Sequence, residues 1–463
     1  MKKILFGLIA SLALLVGVAS FAGFPPSYLM AAPGVATGIG SKLLCSARYV
    51  SGFSQQQSFD DLVQYSGILQ GLTVEYDEAQ KSVTTSLFGL SKKTANYIPN
   101  IGCAIDFAGF DQRASLQTER TPASDAPWPA GDTVGAADSG MEGLLEQLLA
   151  TDNAAGLNTR AFLVAHRGSV IAEAYGQGAD ADTPLLGWSM AKSLMAIMLA
   201  NLEYRGVLDL NAPPEIELWH GDERSQIRIS DMLTMTDGLA FSEEYNPGDD
   251  VTAMLFTEPS SSEFAMRKAA LHAPGSRFNY SSGTANLLAR IYFDKVGGKQ
   301  GNYDTYRESI HQSLAFQNAI FEVDASGVFM GSSYLYASAR DWARIGQLML
   351  NGGTINGARI MADDWVGRAT TANTSENQRA YGYQWWLNQG NEELRWSDIP
   401  ADAYSAQGNR QQYLMVIPSL DLVIVRLGWT AGGYPVNEIF SEIISSLQTG
   451  IDDLSAQPVV VLN

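Results

Sequence analysis

Residues 72–87 alternate between apolar and polar side chains: Leu72, Val74 and Tyr76, then, across Asp77–Lys81, Val83, Thr85 and Leu87. A period of two on both sides of a polar stretch predicts a β-hairpin. Thr118–Asp138 carries Pro122, Pro127, Pro129, Gly131 and Gly135, which predicts a linker or extended loop. From Ser139 the pattern changes. Met141–Leu149 has the spacing of an amphipathic helix, and Ala161–His166 with Ser169–Tyr175 predicts a hairpin around Arg167-Gly168. Met190–Tyr204 is apolar on nearly every face (Leu194, Met195, Ile197, Met198, Leu199, Leu202), as in a buried helix. Helical spacing recurs over Ile229–Met235, Asn286–Tyr292 and Ala337–Leu350. Gln412–Ile417 and Asp421–Leu427 predict a second hairpin around Pro418-Ser419, and Val436–Leu447 a closing helix. A helix and hairpin at the start, mirrored by a hairpin and helix at the end, predict one antiparallel sheet built from both ends. The helical middle then packs on it as a lobe. The expected class is α/β (α+β), with a small β-containing unit over 25–117, a linker over 118–138 and the main domain over 139–450.

The extreme N-terminus follows another pattern. Lys2 and Lys3 precede an uncharged run from Ile4 to Phe24. A signal-peptide apolar region runs about 7–15 residues, and a spanning helix about 20, so the run favours an uncleaved anchor with the lysines on the cytoplasmic side. Ser20-Phe21-Ala22 keeps a cleaved signal peptide open as the second reading. Either way the remainder is exported: periplasmic and tethered to the inner membrane through residues 4–24, or secreted if cleaved. The two cysteines, Cys45 and Cys103, then read as one disulfide, against the alternative of two buried thiols. The net charge of −19 excludes a phosphate-tracking nucleic-acid binder, which needs a basic face. Four scattered histidines lack metal-ligand spacing, so neither metal nor cofactor is expected.

Three short segments carry candidate chemistry. Ser189-Met190-Ala191-Lys192 opens the buried helix. Residues three apart share a helix face, and a lysine stripped of water has a lowered pKa. A neutral amine beside Ser189 can take its proton and make it a nucleophile; the plainer reading is a helix cap followed by a solvated lysine. Tyr280-Ser281-Ser282 follows the turn signal Pro274-Gly275. A tyrosine there can stand between nucleophile and leaving group, and needs a cation such as Lys192 to act as a base. In Ala406-Gln407-Gly408, glycine allows close backbone approach, and the amide of Asn409 can face a developing oxyanion.

Together these segments resemble the serine beta-lactamase and penicillin-binding-protein superfamily. Trp188–Ser193, Ile229–Leu239, Pro274-Gly275 before Tyr280, and Tyr336–Asp341 look like its class C branch, closest to 6-aminohexanoate-oligomer hydrolases and family VIII carboxylesterases. The resemblance covers roughly Ser139 to Leu447. It implies a beta-lactamase/transpeptidase-like fold, Ser189 as acylated nucleophile, Lys192 as its base and Tyr280 as proton shuttle to the leaving group. It also implies an oxyanion hole from the N–H groups of Ser189 and Asn409, and substrate contacts at Ser282, Gln407 and Gly408. Two positions depart from the pattern. Ser282 stands where many members have asparagine, and Ala406 where they often have lysine or histidine beside a substrate carboxylate. Both departures favour a small-molecule ester or short linear amide over beta-lactams or peptidoglycan. Turnover of those last two, or an inactive sensor of the same fold, are the competing readings. An α/β-hydrolase elbow fits Gly187–Ala191 poorly, because Asp182–Leu186 is a poor strand. Glu243-Glu244 and Asp249-Asp250 can line a pocket entrance, but read better as a solvated loop. Tyr381–Trp386 reads equally as an aromatic pocket wall or as core.

Overall fold

The computed structural model describes residues 26–456, apart from 111–115, 120, 121 and 123. The apolar run over 4–24, and with it the anchor and cleavage expectations, lies outside the described residues. Among these, no helix is long and apolar enough to cross a membrane.

Helix α1 (Pro26–Tyr49) packs on a four-stranded antiparallel sheet of β1 (Leu72–Asp77), β2 (Ser82–Leu87), β3 (Ser91–Ile98) and β4 (Gly102–Ile105). The alternating residues pair as a hairpin, with Val74 opposite Thr85. Helix α1 is not evident from the sequence pattern, because it contains Pro33 and several glycines, and both residue types disfavour helix interiors. The glycines serve packing instead. A Cβ on Gly38 would lie 2.3 Å from the Phe256 carbonyl oxygen. Cys45 on α1 is disulfide-bonded to Cys103 on β4, which ties the helix to its sheet.

This unit shares a core with the rest of the chain. Leu44, Val83 and Leu69 pack in one apolar cluster with Trp188, Phe256, Tyr334 and Trp429. At its centre Lys42 pairs with Glu322, both buried. Ser46 Oγ and the Cys103 N–H also donate to that carboxylate, at 2.8 and 2.6 Å. Removing one partner of such a buried pair costs about 3–5 kcal/mol. The Pro/Gly-rich stretch after the unit is held as well. Arg344, wholly buried, donates to the carbonyl oxygens of Pro129 (2.9 Å) and Gly131 (2.5 Å) and pairs with Asp132.

The main domain is built on a six-stranded antiparallel sheet. Its strands are β5 (Thr159–His166), β6 (Ser169–Tyr175), β7 (Trp386–Leu387), β8 (Tyr404–Gly408), β9 (Gln412–Ile417) and β10 (Leu422–Gly428). The spatial order is β7-β8-β9-β10-β5-β6, so strands from both ends of the domain meet where β10 pairs with β5, Ile424 opposite Val164. Central strands are buried on both faces. Phe162, Val164, Met415 and Ile424 meet helices α2 (Ser139–Ala154) and α6 (Val436–Ala456). Leu163, Leu414 and Val425 join the main core with Trp342 and Ile345 of α5 (Ala339–Leu350). Beyond that face lie α3 (Ala191–Tyr204) and α4 (Ser282–Lys295), the helices that carry the candidate chemistry.

Candidate active site

Ser189 sits in a short 3-10 turn, Trp188–Met190, that runs directly into α3. Two close approaches fix that turn. A Cβ on Gly187 would strike the Trp342 ring at 2.1 Å, and one on Gly408 would lie 2.0 Å from the Gly187 carbonyl oxygen. Glycine at 408 therefore lets the end of β8, and Asn409 after it, come up against the nucleophile turn. Trp188 itself has φ +48°, a left-handed conformation that costs a bulky residue about 1–3 kcal/mol. Its ring is held at 6.0 Å by Tyr65 of the N-terminal unit and at 5.8 Å by Tyr334.

Lys192 is 1% exposed, and its Nζ donates to Ser189 Oγ at 3.0 Å, to Ser282 Oγ at 3.1 Å and to the Ser332 carbonyl oxygen at 3.0 Å. Burial pushes its pKa down to about 8, against the pull of the nearby Glu243 carboxylate. Helix-cap geometry with a solvated lysine is thereby overturned: Ser189 makes no side-chain cap bond on α3, and the lysine is inside.

Tyr280 precedes α4, whose N-cap is Ser281, accepting from Thr284 N at 3.0 Å. Burial pushes the Tyr280 hydroxyl pKa up, and the nearby Ser189 side chain opposes that rise. Lys192 Nζ lies 4.8 Å from the centroid of its ring. The ring is packed against Trp386 at 5.4 Å, stacked, and Tyr381 at 6.1 Å, edge-on. A raised pKa keeps the phenol protonated at neutral pH, so the group is built to donate a proton rather than to stand as an anionic base.

Ser282, fully buried, lies behind Lys192 rather than in an open groove. Its hydroxyl and its backbone N–H both donate to Glu243, at 2.5 and 2.8 Å. The Glu243 position corrects the expectation of a solvated loop: the carboxylate caps the start of α4 and also accepts from the Tyr245 hydroxyl at 3.2 Å. The signal was present just upstream. Gly238 has φ +79° and no room for a Cβ, which would lie 2.0 Å from the His272 carbonyl oxygen. Asp237 accepts from Leu239 N at 2.8 Å and Thr284 Oγ1 at 2.5 Å. The Ile229–Leu239 motif thus shapes the loop that delivers Glu243 to α4. Asp250 is engaged elsewhere, paired with Lys268 at 2.5 Å.

Ala406 is buried on β8, and Asn409 is exposed. Gln407 is half-buried, and its Nε2 has no hydrogen-bond partner among the described residues. Arg410, the basic residue nearest to Ala406 in sequence, turns into the N-terminal unit. Its guanidinium lies 3.9 Å from the Tyr65 ring centroid. The structure thus gathers Ser189, Lys192, Tyr280, Ser282 and Glu243 around one point, with the Gly408-Asn409 end of β8 against the serine turn.

The model of the Beta-lactamase family matches residues 141–435, well over half of the chain. The 6-aminohexanoate-dimer hydrolase of Paenarthrobacter ureafaciens is 29% identical over 304 residues, covering 58% of this chain and 72% of its own length. Among solved structures, a Bacillus anthracis protein provisionally named 6-aminohexanoate-dimer hydrolase superposes with a TM-score of 0.55 at 21% identity, covering 67% of this chain and 82% of that one. A family VIII carboxylesterase superposes with a TM-score of 0.50 at 14% identity, covering 67% and 98%. Both structures share the beta-lactamase/transpeptidase-like fold.

Proposed function

The chain belongs to the Beta-lactamase family, a family of serine-hydrolase type with amide and ester hydrolases among its relatives, and from that premise we propose that it is a serine hydrolase that works through an acyl-enzyme on neutral esters or short linear amides. The observation that carries the reading is the buried Lys192 amine, 3.0 Å from Ser189 Oγ, with its pKa lowered to about 8. Neutral Lys192 takes the Ser189 proton as Oγ attacks the substrate carbonyl carbon. The N–H groups of Ser189 and Asn409 receive the oxyanion, the kind of preorganised donors that are often the largest electrostatic contribution in acyl transfer. Tyr280 donates its proton to the departing alkoxide or amine as the tetrahedral adduct collapses, and recovers one from the Lys192 ammonium. Water then attacks the acyl carbon, giving up a proton to the same pair, and Ser189 Oγ takes that proton back as its bond to the acyl carbon breaks and the acid leaves.

The substrate preference rests on charge. A beta-lactam carries a carboxylate, and a buried charge needs a partner. Ala406 supplies none, and Arg410 is committed to Tyr65. An ester, or a linear amide of the kind named for the Paenarthrobacter relative, suits the site better. Turnover of p-nitrophenyl acetate, a linear amide dimer and nitrocefin, side by side, tests the reading; its failure would be turnover of nitrocefin alone. We also propose that the chain works in the periplasm, tethered through residues 4–24, with the Cys45–Cys103 disulfide compatible with export.

A further inference from the structure

A cavity of about 270 Å³ lies beside the nucleophile turn. Trp188, Phe256 and Asn409 of the main domain form one side; Val35 and Ile39 of α1, with Leu69, form the other. No charged side chain lines it among the described residues. Val35, Ile39 and Leu69 all precede the residues matched by the family model, 141–435. The N-terminal unit therefore completes this cavity, and it is locked in place by the buried Lys42–Glu322 pair and by Tyr65 packed edge-on to Trp188.

The two sides of Ser189 differ in chemistry. Ser189, Lys192 and Tyr280 do not themselves line the cavity, which meets the nucleophile turn through Trp188 and Asn409 and reaches the Glu243 side through Tyr245. Tyr280 sits instead in a separate apolar cluster with Phe278, Tyr381 and Trp386. A leaving group departs toward its proton donor, so it belongs on the Tyr280 side. Trp188, next to Ser189 in the turn, and Asn409, next to Gly408, both line the cavity, so it adjoins the part of a substrate that stays on the serine. The cavity walls are mostly apolar, with the hydroxyl-bearing Tyr65, Ser66, Tyr245 and Thr252 among them, and burying apolar surface there is favourable.

We propose that this cavity, walled by the N-terminal unit, binds the acyl chain of the substrate and that the preferred acyl group is uncharged, aliphatic and longer than acetyl. The inference rests on the hydrolase reading above and adds the substrate class to it.

The test is a series of p-nitrophenyl esters from acetate to dodecanoate, read as kcat/KM with the full chain. Each methylene that enters the cavity is expected to raise kcat/KM by up to about fourfold, with the rise ending within the series once the cavity is full. Filling the cavity should collapse the ratio of octanoate to acetate by about tenfold or more. Ile68→Trp is the first such variant, because Ile68 lines the cavity yet is 44% exposed, so its enlargement does not disturb the core. Ala36→Leu, inside α1, is the second. A flat or falling series with acetate still turned over would overturn the cavity assignment and leave the hydrolase reading standing. The same would follow from a gain that appears only when the alcohol half of acetate esters is lengthened, or from an unchanged ratio in both variants. No turnover of any ester, together with no labelling of Ser189 by a fluorophosphonate, would overturn both.

Discussion

Glu243 reaches Lys192 through Ser282. The Ser282 hydroxyl donates to the carboxylate at 2.5 Å and sits 3.1 Å from Lys192 Nζ. The negative charge favours the ammonium form of Lys192 and so opposes the lowering caused by burial. Glu243→Gln keeps an acceptor for the start of α4 and removes the charge. The Lys192 pKa should then fall further, and the rising limb of kcat/KM against pH should move to lower pH than in the wild type. A limb that stays in place would separate Glu243 from the lysine.

In the wild type that rising limb should have its midpoint near pH 8. Lys192 acts only when deprotonated, and its pKa is about 8, so acylation strengthens as pH climbs through that value. Stopped-flow acylation across pH 6–10 measures it.

Lys192→Arg should be nearly as damaging as Lys192→Ala, with kcat/KM down by about 10²–10⁴ in both. Arginine keeps the charge but cannot be deprotonated in a protein. Near-wild-type acylation by the arginine variant would reduce Lys192 to an electrostatic support.

Esters or short linear amides should be hydrolysed far better than nitrocefin. Arg410 is 8% exposed and stacked on Tyr65, so Arg410→Ala should leave the ester-to-nitrocefin ratio within about threefold, as expected when no substrate charge is paired there. A nitrocefin specificity constant equal to that for the best ester, lost in Arg410→Ala, would make Arg410 a carboxylate anchor after all.

The Cys45–Cys103 disulfide joins residues 58 apart in sequence, and removing such a bridge destabilises by about 2–4 kcal/mol. Alkylation without reductant, followed by mass spectrometry, should find both thiols blocked. The Cys45→Ala/Cys103→Ala variant should melt earlier, because α1 loses its tie to β4. Two free thiols in the native protein would contradict this.

Most of the main domain was legible because its signals are local. Arg167 and Gly168, at φ +49° and +77°, form the tight turn that the intervening pair between two apolar runs implied. Lys192 within an all-apolar helix was itself the sign of a buried amine. Helix α1 was not legible, since Pro33 and its glycines look like breakers until Phe256 and Leu72 are seen pressing against them. Glu243 was hidden for a related reason. A carboxylate pair in a polar loop looks solvated, and its contact with Ser282, 39 residues on, is a tertiary one that the upstream Gly238 turn hints at without naming the partner. The docking of the N-terminal unit depends on Lys42 meeting Glu322, far apart in sequence, and no local pattern announces such a pair.

The central claim is that Ser189 is the nucleophile. The direct measurement is intact-mass and peptide mapping after exposure to a fluorophosphonate, on the wild type and on Ser189→Ala with its fold checked by circular dichroism. One adduct on the Ser189 peptide in the wild type, and neither adduct nor ester turnover in the folded variant, is the predicted result. Full turnover by pure Ser189→Ala, or an adduct on another residue, would contradict it.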